Sequence, residues 1–370
     1  MTGLGQLAGQ RVDVVGSERG ELASPEASSD PRRVPYASRV HARETRLGLE
    51  KRPADCARRD SPGTLRAVGR VPGAERTGPR RPDVRTYDLI VIGAGSGNML
   101  FTPELGGLRA AIVEPDRFGG TCLNRGCIPS KMLVVAPDAA RAVTDARRLG
   151  VHTSLDHVDW PAIRNRIFGR IDPIHDGAVA YRRSTGVDVY TDPARFVAPK
   201  VLQVGDETLT AEQIVVAAGS RPAIPDIAGL DRVAYHTSDT IMRVDRLPRS
   251  MIVLGGGFIA AEMGHVFGAF GTRVHIVQRG PRLLMAEDHD ISAAFTDRAG
   301  ERFDVHLSST AMAVRATRRG VAVTVNGPAG VDVLEAEALL VATGRRPDTD
   351  RLDVAAGGLA VDDHGHLVTD

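Results

Sequence analysis

The sequence predicts an α/β chain of two similar doubly wound units, because one pattern of strand, glycine-rich turn, helix and strand occurs in it twice. The first copy runs from Tyr87–Ile92 (YDLIVI) through Gly93-Ala94-Gly95-Ser96-Gly97 to a strand at Arg109–Glu114. The second runs from Ser250–Leu254 through Gly255-Gly256-Gly257 and a helix over Phe258–Phe270 to a strand at Arg273–Val277. A closing strand is repeated as well: Val216-Ala217-Ala218-Gly219-Ser220-Arg221-Pro222 is mirrored by Val341-Ala342-Thr343-Gly344-Arg345-Arg346-Pro347. Each copy is read as a Rossmann-like, three-layer ββα domain that binds a nucleotide.

The segment 1–86 reads differently. It carries 17 Lys+Arg against 11 Asp+Glu, a local +6 that leaves −5 for the remainder of a chain whose net charge is +1. Its prolines and glycines are scattered and no apolar period of 3.6 or 2.0 is sustained, so it is predicted to be a disordered extension. It is read either as a flexible tail or as upstream sequence, with Val84 as the start of the translated protein. Cys56 has no neighbouring partner and no assigned role. Lysine occurs only at Lys51, Lys131 and Lys200, which reflects a GC-rich genome rather than nucleic-acid contact. A net charge near zero gives no general attraction to nucleic acid or membrane. No apolar run approaches the ~20 residues of a membrane helix. Three cysteines, two of them in one motif, argue against a stapled secreted fold and for a cytoplasmic setting.

From Tyr87 the elements follow in order. The first strand enters the glycine turn, where Gly93 permits the tight bend and Gly95 permits close approach to a pyrophosphate. A helix is expected next, with its first amides aimed at the phosphates. Glu114 follows at the distance where a carboxylate accepts ribose hydroxyls. A helix is predicted over Thr121–Ala136, with Pro129 restricting its first turn, and another over roughly 137–149. Ile163–Ile174 reads as a helix interrupted by Pro173, and Val187–Val204 as short antiparallel strands. Ile214–Pro222 is a buried strand ending in a turn. The second glycine turn lacks the acid at its strand end: Gln278 and Arg279 stand there. An arginine can pair with a 2′-phosphate that a carboxylate would repel, so NADPH is predicted over NADH.

Gly119-Gly120-Thr121-Cys122-Leu123-Asn124-Arg125-Gly126-Cys127-Ile128-Pro129-Ser130-Lys131 is the most informative stretch. Cysteines one helical turn apart can bridge where the turn is distorted. A helix N-terminus lowers a thiol pKa, which would populate the thiolate near neutral pH. Zinc is the rival reading, but a second Cys/His pair at ligand spacing is missing, so no metal is predicted.

These motifs together resemble the flavoprotein disulfide reductases (class I pyridine nucleotide-disulfide oxidoreductases), over about 87–370. Within that family, GAGSGNM, FGRIDPI and Tyr235-His236-Thr237-Ser238-Asp239-Thr240-Ile241-Met242-Arg243 look like the mycothione reductase branch. The resemblance implies FAD and NADPH as cofactors and a redox-active Cys122–Cys127 disulfide. It makes Cys127 the thiolate beside the flavin, Cys122 the thiol that attacks substrate, and Lys131 a flavin neighbour paired with Glu262. It implies cofactor-binding positions at Gly93, Gly95, Ser96, Gly97, Glu114, Gly120, Thr121, Gly219, Ser220, Gly255, Gly257, Phe258, Ile259, Arg279 and Gly344. Related NADPH enzymes place a second arginine where Met285 stands, and Arg282 is the substitute considered. The implied domains are 87–230 for FAD, 231–347 for NADPH and 348–370 as the start of a return to the FAD domain. The partners implied are a small-molecule disulfide and, for the full-length enzyme, a second subunit. A C-terminal dimerisation domain is absent from this sequence, so a catalytically incomplete nucleotide-binding fragment is the alternative reading. Dihydrolipoamide dehydrogenase is the other, disfavoured by Gln278-Arg279.

Overall fold

The computed structural model describes residues 84–369. Most of the extension predicted over 1–86, and Cys56 with it, lies outside the described residues. Its last three positions belong to the fold. Strand β1 (Val84–Ile92) starts ahead of the expected Tyr87 because Val84–Thr86 pair in register with Thr208–Thr210.

The first unit is a six-stranded sheet. Its other strands are β2 (Ala110–Val113), β3 (Asp188–Tyr190), β4 (Ala194–Ala198), β5 (Val201–Val204) and β6 (Glu207–Val216). They lie in the order β3-β2-β1-β6-β5-β4, with β3, β2, β1 and β6 parallel and β5 and β4 antiparallel. The expectation of antiparallel strands over Val187–Val204 therefore holds only for β4 and β5. Strand β3 joins β2 in parallel because a helix crosses over ahead of it, as parallel pairing requires. The helices of this unit are α1 (Gly120–Arg125), α2 (Cys127–Asp145), α3 (Trp160–Ile171) and α4 (Ile174–Ser184). Pro173 ends α3 as expected and serves as the N-cap of α4, which the sequence reading did not anticipate.

Two further differences concern the segments around the cysteines. No α-helix follows the first glycine turn; two short 3₁₀ turns, Ser96–Leu100 and Pro103–Leu105, take its place. Gly97, Pro103, Gly106 and Gly107 explain this, since each weakens or breaks a helix. The helices expected at 121–136 and 137–149 are instead α1, a break at Gly126, and a continuous α2 that passes through Pro137. Pro129 fits in α2 because first-turn amides have no helical partner to lose.

The second unit has a parallel sheet of β8 (Ser250–Leu254), β9 (Arg273–Val277), β10 (Asp304–His306) and β14 (Ala338–Val341), ordered β10-β9-β8-β14. Strands β11 (Thr310–Thr317), β12 (Gly320–Gly327) and β13 (Gly330–Ala336) form an antiparallel sheet. Before β8 come β7 (Ser220–Pro222) and α5 (Ser238–Ile241); α6 (Phe258–Ala269) and α7 (His289–Gly300) follow it, and β15 (Arg345–Pro347) pairs with β7. Alternation along β8 builds the layers. Ile252 and Leu254 pack against Val323, Val325 and Leu334 of the antiparallel sheet. Met251 and Val253 face Met263, Val266 and Phe267 of α6. The result is the ββα sandwich that period-2 burial on both faces dictates.

Helices of both units share one core. Trp160, at the start of α3, lies 5.6 Å from Phe267 of α6 between ring centroids, and its indole N–H donates to Val244 O at 2.7 Å. Leu352 and Val354 pack with Phe196 and Leu202 on the first sheet, and Phe196 N–H donates to Leu352 O at 2.7 Å. No described helix is long and apolar enough to cross a membrane.

Candidate active site

The first glycine turn sits at the carboxyl ends of β1 and β6. Gly93 has φ +103, and a Cβ there would lie 2.2 Å from Ala217 O, so only glycine fits. Gly97 packs as tightly, with a Cβ position 2.8 Å from Val91 Cγ1. The start of α1 closes on the same turn: a Cβ on Gly120 would lie 2.8 Å from Gly95 Cα. Glu114 stands at the end of β2, and its carboxylate accepts from Ala94 N–H at 2.8 Å and Asp116 N–H at 2.9 Å. Gly93, Gly95, Ser96, Gly97, Glu114, Gly120 and Thr121 are thereby brought to one sheet edge. Gly219 and Ser220 follow β6 on that side, and a Cβ on Gly219 would have no heavy atom within 4 Å. Bare backbone crowded around an open edge suits a pyrophosphate and its ribose.

The second glycine turn opens on a cavity of about 830 Å³. Gly255, Gly257, Phe258, Ile259, Arg279 and Gly344 all line it. Gly255 has φ +112, and its Cβ would lie 2.3 Å from Ala342 O. Gly257 and Gly344 have no heavy atom within 4 Å of a Cβ position, so a side chain at either would fill the cavity. The first amides of the 12-residue helix α6 face it, where anions are favoured. Arg279 is exposed on its wall and makes no ion pair with any described residue. Met285 also lines the cavity, whereas Arg282 is turned away, its Nε donating to Ser292 Oγ of α7 at 3.2 Å. The substitute role considered for Arg282 therefore has no support in its placement.

The cysteines follow where α1 closes on the first turn. Cys122 is on α1 and Cys127 is the first residue of α2, across the break at Gly126. Both are exposed free thiols. Hydrogen bonding to Cys127, and next the loss of hydration, raise the Cys122 pKa; the Cys127 and Ile128 amides oppose them. For Cys122 the raising causes outweigh the lowering expected of a nearby helix end. One turn further along α2, Lys131 Nζ meets Glu262 Oε1 of α6. Glu262 is one turn from Phe258, so this ion pair ties the cysteine helix to the wall of the cavity.

Several residues of this region escaped the sequence reading. Arg345 lines the cavity, and its Nε donates to Ser220 Oγ at 2.9 Å while its Nη2 lies 3.4 Å from Thr121 Oγ1, so it spans both turns. Arg182, buried on α4, holds the 3₁₀ turn through Asn98 Oδ1 and Asn98 O, each at 2.7 Å, in place of the missing helix. Arg345 lies inside the repeated closing strand, which could have flagged it, whereas Arg182 sits in no local pattern that announces it.

Residues 87–370 match the model of the pyridine nucleotide-disulphide oxidoreductase family. The chain is 41% identical over 295 residues to the mycothione reductase of Mycobacterium tuberculosis, covering 78% of this chain and 63% of that protein. It is 34% identical over 298 residues to a mercuric reductase of Streptomyces lividans, covering 77% of this chain and 62% of the relative. Among solved structures, the HOCl-induced flavoprotein disulfide reductase RclA from Escherichia coli superposes with a TM-score of 0.66 at 26% identity, over 77% of this chain and 62% of that one. The chain thus spans less than two thirds of the length of these relatives. With two glycine turns, a thiol pair beside the first and a family match over residues 87–370, the chain belongs to the pyridine nucleotide-disulphide oxidoreductases.

Proposed function

We propose that this chain carries the nucleotide-binding and dithiol parts of a flavoprotein disulfide reductase, and that the reaction is NADPH-dependent reduction of mycothione. The carrying observation is the thiol pair at the α1–α2 break, set beside the first glycine turn and braced by Lys131–Glu262 to the helix that follows the second. The mycothione assignment is supported by the 41% identity to a mycothione reductase, against 34% to a mercuric reductase. Domains are proposed at 87–230, 231–347 and 348–370, with a homodimer as the working enzyme in the cytoplasm.

In this reading Gly93, Gly95, Ser96, Gly97, Glu114, Gly120, Thr121, Gly219 and Ser220 hold FAD. Gly255, Gly257, Phe258, Ile259, Gly344 and Arg279 hold NADPH, with Arg279 on the 2′-phosphate. Bound FAD supplies two-electron transfer between the nicotinamide and the dithiol. Cys122 Sγ attacks one sulfur of the substrate disulfide, releasing one thiol and leaving a mixed disulfide. Cys127 Sγ then attacks Cys122 Sγ, releasing the second thiol and closing the Cys122–Cys127 bond. Lys131, held by Glu262, would place a positive charge beside bound flavin.

The test is a visible spectrum of the purified chain, with and without added FAD, followed by anaerobic NADPH and by mycothione turnover. Flavin binding, long-wavelength absorbance lost in Cys127→Ser, and turnover support the proposal. A chain that stays colourless with FAD is a nucleotide-binding fragment, and the activity then belongs to a longer protein. Arg279→Ala is expected to weaken NADPH binding about tenfold, the worth of one charge-assisted contact, and to leave NADH within about twofold. Equal loss for both nucleotides in titration calorimetry would remove Arg279 from the 2′-phosphate.

A further inference from the structure

The segments FGRIDPI (168–174) and HTSDTIMR (236–243) supply no residue to the nucleotide cavity. The fold brings them together beside the cysteine turn. Asp172, after α3, accepts from Arg243 Nη2 at 2.8 Å and Nη1 at 3.1 Å, and the Arg243 guanidinium lies 3.7 Å from the Phe168 ring centroid. Arg117 Nη2 donates to Asp172 O at 2.6 Å, and its Nε donates to Asn124 Oδ1 at 3.4 Å. Asn124, only 2% exposed, lies between the two cysteines, and its amide donates to Phe118 O and Gly120 O at 3.0 and 2.9 Å. The next residue, Arg125, pairs with Asp239 of α5 at 3.6 Å and also with Asp116. Two neighbouring residues inside the cysteine turn are therefore the ends of two polar chains that both begin in 236–243.

That segment is itself firmly held. Thr237 and Thr240 form a reciprocal capping box at the start of α5. His236 N–H donates to Leu339 O at 2.7 Å, and Val341 N–H donates to His236 O at 2.8 Å, which fastens the segment to β14. The chains thus connect a rigid strand edge to the short helix α1, whose six residues could not hold their own orientation.

We propose that Asp239 and Arg243 are positioning residues for the dithiol, acting through Arg125 and through Arg117 and Asn124 to hold α1 so that its thiol meets Cys127. This rests on the dithiol reading above. Oxidation joins the two sulfurs with loss of two electrons and two protons, which glutathione disulfide takes up in becoming two molecules of glutathione. A turn that already holds the sulfurs together loses little freedom on closing, so the disulfide is favoured. Loosening it shifts the pair toward the dithiol. Asp239→Asn loosens the turn and also removes a negative charge that disfavours the thiolate, so both effects have one sign. Arg243→Lys keeps the charge but loses the two-pronged contact and the ring stacking, so it acts through position alone.

The experiment equilibrates the 370-residue chain and its variants in glutathione buffers at pH 7, then traps free thiols by alkylation and counts them by mass. The expected result is a shift toward the dithiol of about tenfold, about 30 mV, in both Asp239→Asn and Arg243→Lys. NADPH affinity is expected to stay within about twofold of the parent, a readout that general loosening of the fold would move. Both variants within about twofold of the parent equilibrium would overturn the inference, and a shift in Asp239→Asn alone would replace it with a charge effect. A parent that forms no Cys122–Cys127 disulfide in any buffer would instead bring down the dithiol reading, and this inference with it. Should circular dichroism show either variant unfolded, Arg125→Lys is read the same way.

Discussion

Cys122 owes its raised pKa first to the hydrogen bond with Cys127, so the reactivity of Cys122 depends on Cys127 being present and reduced. Replacing Cys127 by alanine removes that hydrogen bond. Cys122 is then expected to ionise at lower pH, and the pH–rate profile for its alkylation by iodoacetamide would move down. An unmoved profile would assign the shift to lost hydration instead. His275 offers a second residue-scale test. It is buried, stacked 5.8 Å from His306 between ring centroids, and its Nδ1 makes no hydrogen bond among the described residues, with Asp304 Oδ2 at 3.5 Å. So long a contact to a carboxylate that is itself partly exposed compensates the buried nitrogen poorly, so His275→Phe, which fills the same space, is expected to match or exceed the parent in thermal stability at pH 7.5. A clear drop in Tm would show that the imidazole makes a contact the aromatic ring cannot replace.

At the scale of elements, the break between α1 and α2 decides whether the cysteines meet. Gly126 turns the chain with φ −138 and ψ −122, and a Cβ there would lie 2.9 Å from Thr121 O, a backbone atom that cannot step aside alone. Gly126→Ala is expected to push α1 and α2 apart and slow disulfide formation severalfold, measured as loss of free thiols under a fixed glutathione disulfide concentration. An unchanged rate would mean that the turn yields without moving the sulfurs. The same region shows what the sequence could and could not convey. Strands β8 and β9 and helix α6 were legible almost to the residue, because unbroken apolar runs abut glycines there. The sheet over Thr310–Ala336 was not, since Val331 and Val333 of β13 are exposed and only Leu334 and Ala336 carry its buried face. The helix expected after Gly97 failed because the glycine pattern was weighed above Pro103 and the glycines behind it. Contacts across long separations, such as Arg345 with Thr121, leave no local trace. Lys131 with Glu262 was available only through family resemblance.

For the whole molecule, burial of imidazoles links stability to pH. His236 and His275 are both pushed below the usual value of 6.5 by burial. Asp304 and Arg273 flank His275 with opposite effects, and His306 stacks on it. The unfolded chain binds these protons at higher pH than the folded one, so their contribution is full above about 6.5 and is lost as pH falls through the folded values. Asp350, held at about 2 by Arg221, adds a second acid-sensitive term that is present above about 3.9 and lost toward 2. Thermal melts from pH 8 to 5 are expected to show a falling Tm, with a shallower fall in His275→Phe; parallel curves would exclude His275 as a source of the slope. One packing feature makes these melts simple to follow. Trp160 is the single tryptophan of the sequence, and it is 2% exposed against Phe267 where helices of the two units share their core. Its ultraviolet emission therefore comes from one known place, and a red shift marks water reaching that seam. The chain carries a built-in optical gauge of whether its two halves are in register.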